Sequence, residues 1–421
     1  MTGRERILAA LDFRAVDHDQ VDLGGTMCSG AHVSVIAKLR RALGLDEPGE
    51  PVKVIEPYQM LGEVKADPRA RLRIDVVNLP SPANMLGFEN NGWKPWRTFD
   101  GTDVLVPEKF NTEPEANGEI LMYPQAVRSA RPSARMPKGG FYFDSIIRQE
   151  PIDESTLNPA DNLEEFTLIT DEDLKVYERL SDELHANTDR AIAAGFPGTA
   201  FGDIAQVPAP FLKNPKGIHD IEEWYISTVT RKVYIKEVFA GQAEIAVMNL
   251  ERIYQAVGDK LHTAFMDATD LAAQNALFCG PDGYRELYLP YNKKLNDWVH
   301  ANTKWKSMKH CCGACEPLIE CFIEAGFDIL NPVQCSAVGM DPQRLVETYG
   351  GRIVFWGGGV DTQHTLVFGT PEQVYEQAAE RIRIFSRKGG FVFNTIHNIQ
   401  CNTPMENVPA TFEAVGDSLA R

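Results

Sequence analysis

The chain has no long apolar run, few cysteines and a shortage of base relative to acid. No window approaches the roughly 18 uninterrupted apolar residues of a membrane helix. The start, Met1-Thr2-Gly3-Arg4-Glu5-Arg6-Ile7-Leu8, carries no apolar signal core, so a soluble, cytoplasmic protein is expected. Eight cysteines in 421 residues are too sparse for a disulfide scaffold. A formal charge of −17, from 42 basic and 59 acidic residues, argues against nonspecific attraction to nucleic acid or to an anionic membrane surface. A dinucleotide fingerprint is also missing, because Gly24-Gly25-Thr26-Met27-Cys28-Ser29-Gly30 lacks the required spacing. No internal repeat of solenoid length occurs.

What is present is an ordinary globular composition, 43% hydrophobic and 24% charged, with apolar side chains enough for a sizeable core. A prior of about 150 residues per domain suggests two or three units, but large α/β barrels exceed it. Thr2 and Glu5 have capping-box spacing, and Ile7, Leu8 and Leu11 form one face of a short first helix. Val21-Asp22-Leu23-Gly24-Gly25-Thr26 reads as a buried strand running into a loop, residues 32–43 as an amphipathic helix, and residues 73–79 as a strand. From about 87 to 153 the pattern changes to short aromatic runs with Gly/Pro punctuation, such as Gly92-Trp93-Lys94-Pro95-Trp96. Hairpins suit it better than helices, and it reads as an insertion in the N-terminal half of one domain spanning 1–421.

The second half alternates regularly. Helices are predicted over 171–189, 222–257, 281–302 and 316–325, from Asp341-Pro342 to Gly350, and from Thr370-Pro371 to Gly389. Strands near 263, 306, 327, 352 and 391 lie between the later helices, which implies parallel pairing. Polar clusters recur after several different strands, as they do at the mouth of a (β/α)8 TIM barrel, and that architecture is preferred over an open doubly wound sheet.

The sharpest cluster is Lys309-His310-Cys311-Cys312-Gly313-Ala314-Cys315 at the end of a strand. Imidazole with thiolate is a zinc-type ligand pair, and His310 and Cys312 at i, i+2 in extended chain reach one face. Further ligands can come from Asn394-Thr395-Ile396-His397-Asn398-Ile399-Gln400-Cys401, which a barrel would bring to the same mouth. Cys321, alone on a helix, reads as a small buried side chain, while Cys311 and Cys315 lie between the two readings. Asp267 and Asp270 follow a strand and could serve as metal second partners, proton-transfer groups or substrate anchors, with a helix cap as the plain alternative. Asp361, after Gly357-Gly358-Gly359-Val360, is a further catalytic candidate, whereas His364 reads as a surface or capping residue.

Together Arg4-Glu5-Arg6-Ile7-Leu8, the run from Asp267 to Gln274, His310-Cys311-Cys312-Gly313, Asn331-Pro332-Val333-Gln334, Gly358-Gly359-Val360-Asp361, Phe368-Gly369-Thr370-Pro371-Glu372 and Thr403-Pro404-Met405-Glu406-Asn407 resemble the uroporphyrinogen decarboxylase superfamily, in particular its methyltransferase branch. The resemblance is close over the C-terminal half and loose over the first 80 residues. It implies a TIM barrel with zinc on His310, Cys312 and a distant third residue, His397 or Cys401. It also implies methyl transfer between a small-molecule donor or acceptor and a corrinoid (cobalamin), free or on a separate corrinoid protein. A homodimer is among the assemblies it allows. True decarboxylases of the family hold their acidic tetrapyrrole with an Arg-Gln-Ala-Gly-Arg motif, and here Gly24-Gly25-Thr26-Met27-Cys28 stands in that region. Tetrapyrrole decarboxylation is therefore the alternative, and a non-enzymatic metal or thiol sensor using Cys311, Cys312 and Cys315 is the second.

Overall fold

A computed structural model describes residues 1–45 and 50–417. Its centre is a ring of eight parallel strands: β1 (Gln20–Val21), β2 (Val76–Asn78), β3 (Ala191–Gly195), β4 (Thr263–Asp267), β5 (Lys306–His310), β6 (Ile329–Asn331), β7 (Val354–Trp356) and β8 (Phe391–Phe393). Each strand from β2 to β8 pairs with the next in sequence, and β8 pairs with β1. The last gap is closed by Asp75, whose N–H donates to the Val21 carbonyl at 2.8 Å while its carboxylate accepts the Val21 N–H at 3.1 Å. The expected (β/α)8 barrel is the fold.

Strands buried on both faces build two cores. Val76, Ala191, Ala193, Phe265, Met308, Ile329, Val354, Trp356 and Val392 fill the barrel interior, and Ile7 and Leu11 of the N-terminal helix (Gly3–Leu11) plug its lower end. That helix opens with the expected capping box between Thr2 and Glu5. Its Arg6 fixes it to the barrel through Asp75 at 2.5 Å and Asp17 at 2.7 Å. A larger apolar layer packs between the ring and the outer helices.

The departures from expectation have local causes. No strand was expected at β3, because Ala-Ile-Ala-Ala-Gly is poor in β-branched residues. It is imposed by partners on both sides, Ala193 lying in register with Asn78 and with Thr263. The helix expected over 222–257 is two, Ile221–Thr230 and Lys232–Val257, broken at Arg231, which bridges Glu154 and Glu223. The helix expected over 281–302 is also two, Pro281–Leu287 and Leu289–Asn302. Pro290 in the first turn of the second cannot donate to the turn before it.

The hairpin-rich insertion is present but starts earlier than 87. Lys94–Arg97 and Asp103–Val106 form one sheet with Val52–Glu56 and Leu61–Gly62, while Ile120–Met122, Ala134–Met136 and Asp144–Ser145 form another. Among the described residues no helix is long and apolar enough to cross a membrane.

Candidate functional site

The upper end of the barrel opens into a cavity of about 630 Å³, walled by the loops after β1, β3, β4, β5, β7 and β8 and by Tyr58 and Phe141 of the inserted sheets. Alternation along β5 explains how His310 reaches it. Met308 and His310 face the interior, while Ser307 and Lys309 face the helices, where Ser307 bonds Asn296 and Lys309 lies over the Phe322 ring.

The His310 ring is fixed by an amide of known orientation. Asn331 Nδ2 donates to the Trp356 carbonyl at 3.0 Å, which leaves Asn331 Oδ1 as the acceptor 2.8 Å from His310 Nδ1. The proton therefore sits on Nδ1, and Nε2 presents a lone pair. Burial holds the imidazole below its usual pKa, so it is neutral. Cys312 Sγ lies 3.5 Å from that Nε2 and Asp270 Oδ1 lies 3.9 Å from it. Asp270 also accepts the Cys312 N–H at 2.6 Å. The turn behind Cys312 requires glycine: Gly313 has φ +89°, a Cβ there would meet the Ala273 carbonyl at 2.5 Å, and its N–H donates to Gln334 at 2.7 Å.

Two loops complete the cluster. His397, after β8, packs edge-on to His310 with ring centroids 5.7 Å apart, and burial with the neighbouring His310 lowers it to about 4. Cys28, after β1, is drawn beside it by Asn398, which accepts the Gly30 N–H at 2.6 Å and donates to the Met27 carbonyl at 2.9 Å. The donor atoms of Cys28, His310 and His397 lie within 4.8 Å of one another, and so do those of Asp270, His310 and Cys312. Imidazole and thiol donors of this kind suit zinc, so the residues present fit the metal that the resemblance implies.

The other expected site residues are placed elsewhere. Cys401 turns toward the insertion, its thiol 3.6 Å from Asp100, so of the two C-terminal alternatives His397 is the one brought to His310. Asp267 does not reach the cavity. A register shift between Phe265 and Asp267 sets it opposite Lys309, and the two form an ion pair at 3.2 Å with both side chains buried. Asp361 accepts the Gln363 N–H at 2.8 Å and meets His364 at 3.0 Å; it shapes the turn that carries Gln363 to the cavity wall. The three glycines before it make a turn rather than a ligand cradle, since a Cβ at Gly359 would strike Phe393 at 2.4 Å.

Cys311 accepts the Leu271 N–H, and contact with Cys311 together with burial pushes the Cys315 thiol up; Cys321 is buried. A buried thiol pushed up in this way, as at Cys315, does not suit redox sensing. Sequence reasoning missed Cys28 and Asp203. Cys28 follows the first strand, a position that could have flagged it, whereas Asp203 lies in a loop after a strand that was not foreseen. Asp203 lines the cavity with 6% of its surface exposed; one oxygen accepts the Ala205 N–H at 3.0 Å, and burial pushes its carboxyl up to about 7.

A family model described as uroporphyrinogen decarboxylase (URO-D) matches residues 251–418, which include β4 to β8 and the His310 and His397 loops. The chain is 24% identical over 194 residues to a uroporphyrinogen decarboxylase from Chlorobium luteolum, covering 45% of this chain and 53% of that one. The match thus spans about half of that relative's length. In three dimensions it is similar to a methyltransferase from Methanosarcina mazei, with a TM-score of 0.55 and 16% identity over 99% of both chains, which establishes a shared fold. Over its C-terminal part, residues 251–418, the chain is thus similar in sequence to the uroporphyrinogen decarboxylase family, and as a whole it shares the closed-barrel fold of that methyltransferase.

Proposed function

We propose that the protein is a zinc-dependent methyltransferase that moves a methyl group between a small molecule and a corrinoid, free or carried by a separate protein. The observation that carries this reading is that His310 belongs to two donor groups at once, one with Cys28 and His397 and one with Asp270 and Cys312. His310 and Cys312 would hold the metal, with His397 or Cys28 as the third ligand. Zinc bound there would supply Lewis acidity to the heteroatom that carries or loses the methyl group. Asn331 keeps the His310 lone pair directed inward, Asp270 fixes the Cys312 backbone, and Gln334, braced by Gln274 at 2.8 Å, holds the turn at Gly313. Asp203 is placed to manage a proton at the cavity wall.

The cavity also speaks against the tetrapyrrole decarboxylase alternative. A substrate with several carboxylates needs basic partners, best supplied by arginine. None of the described residues lining this cavity is arginine or lysine. The test has two arms. Incubation with reduced cobalamin and a panel of methylated amines, ethers and thioethers should yield methylcobalamin with at least one donor. Incubation with uroporphyrinogen should yield no four-carboxylate product, and turnover to that product would promote the alternative.

A further inference from the structure

We infer that the loop after β3, residues 196–220, is a lid on the cavity, latched shut against the insertion by Arg148. The lid goes beyond the proposed chemistry and does not depend on the metal. The loop contains no helix or strand, and its Asp203, Ile204, Ala205 and Gln206 line the cavity. Arg148, at the end of the insertion, ties it down. This side chain is 5% exposed, and its guanidinium donates to the Leu212 and Ala209 carbonyls at 2.6 Å each and to the Pro208 carbonyl at 3.4 Å. Bonds from a buried cation are charge-assisted and strong. Beside it Gln125 Nε2, also from the insertion, donates to the Phe211 carbonyl at 3.2 Å. Four carbonyls between residues 208 and 212 are thus held from the insertion, which itself lines the cavity with Phe141, Tyr142 and Phe143.

The closed loop is strained and short of partners. Ala209 takes the left-handed conformation at φ +48°, and across the same junction Gln125 and Ala126 take it at +55° and +60°, a cost for any residue with a side chain. His219, 1% exposed, has one ring nitrogen 2.7 Å from the Val207 carbonyl and the other 2.7 Å from the Lys216 carbonyl. Burial holds this imidazole below its usual pKa, so it is neutral and has one N–H to give to two acceptors. The Nε1 of Trp224 lies against Gly202, buried and without an acceptor among the described residues, and the Nε of Arg148 is in the same position. Strain and unmet bonds of this kind collect at clamps and switch segments, and such a segment opens at lower cost than a paired core. Opening would carry the Asp203 to Gln206 wall away from the cavity, and closing would keep water from a bound ligand.

Hydrogen exchange of the full-length protein, followed by mass spectrometry of its peptides, tests the lid. Peptides over 203–217 should exchange at least about tenfold faster than those of β4 to β8. Arg148→Met should speed the loop by at least about a further tenfold and leave the strands unchanged, because it removes charged hydrogen bonds. Arg148→Lys, which keeps a cation, should fall between. Gln125→Ala, at an exposed position, should speed the loop a few-fold and remains informative if Arg148→Met does not fold. Residues 121–127 of the insertion should loosen together with the loop in both variants, which a purely local packing role would not bring about. A wild-type loop protected as strongly as the strands, a loop unchanged by Arg148→Met and Gln125→Ala, or loop and strands loosened alike would each overturn the inference.

Discussion

Asn331 Oδ1 accepts the Nδ1 proton of His310 at 2.8 Å, and this contact decides which nitrogen of the imidazole faces the cavity. The amide is itself oriented by its donation to the Trp356 carbonyl at 3.0 Å, so three consecutive strands, β5, β6 and β7, cooperate to aim one lone pair. Such outer partners set both the tautomer and the ring direction of a metal-binding histidine.

Replacing Asn331 by leucine keeps the branched heavy-atom shape but removes the acceptor for His310 and the donor to the Trp356 carbonyl. Zinc affinity should fall by about 10–100-fold, read by competition with a chromophoric chelator, while the far-ultraviolet spectrum stays native. Unaltered affinity in a folded variant would show that the ring needs no such guide.

The ligand set can be sorted with single alanines. Cys28→Ala and His397→Ala should each lower zinc affinity, because their donor atoms lie within 4.8 Å of that of His310. Cys401→Ala should retain zinc, since its thiol lies against Asp100. Retention by both of the first two variants with loss in the third would move the third ligand to Cys401.

Much of this architecture was legible in the sequence because its signals are local. The His310-Cys311-Cys312 run, the Asp341-Pro342 and Thr370-Pro371 helix starts and the alternation after residue 263 each carry their meaning within a few residues. What stayed hidden depends on distant partners. Ala191–Gly195 is a strand because of its neighbours in the ring, and Asp267 leaves the cavity because of a register shift against β5. Whether His397 or Cys401 faced His310 turned on the backbone path after β8, where Asn398 clamps the Cys28 loop.

The Lys309–Asp267 pair should matter to stability rather than to chemistry. Both side chains are buried, so Lys309→Met would leave a carboxylate without its cation and should cost about 3–5 kcal/mol in urea denaturation. Adding Asp267→Leu should recover a large part of the loss. If the single variant unfolds at the wild-type midpoint, the pair is not a structural element.

Asp203 predicts a pH dependence of stability. Burial raises its carboxyl to about 7, against about 3.9 in an unfolded chain. The folded state therefore holds the proton longer, and this group makes stability fall as pH rises through that window. Asp203→Asn removes the effect, so the variant should be no more stable than wild type near pH 4 and progressively more stable up to pH 7, by at most about 4 kcal/mol. Melting curves of the two proteins that run parallel between those pH values would contradict the assignment.

The central claim is a zinc site built on His310 and Cys312, and metal analysis of the purified protein beside its Cys312→Ala variant tests it most directly. The account predicts about one zinc per wild-type chain, as expected of a single site with three or four ligands, and little or none in the variant. Full zinc occupancy in Cys312→Ala, or a wild-type protein that takes up no zinc when it is supplied, would contradict it.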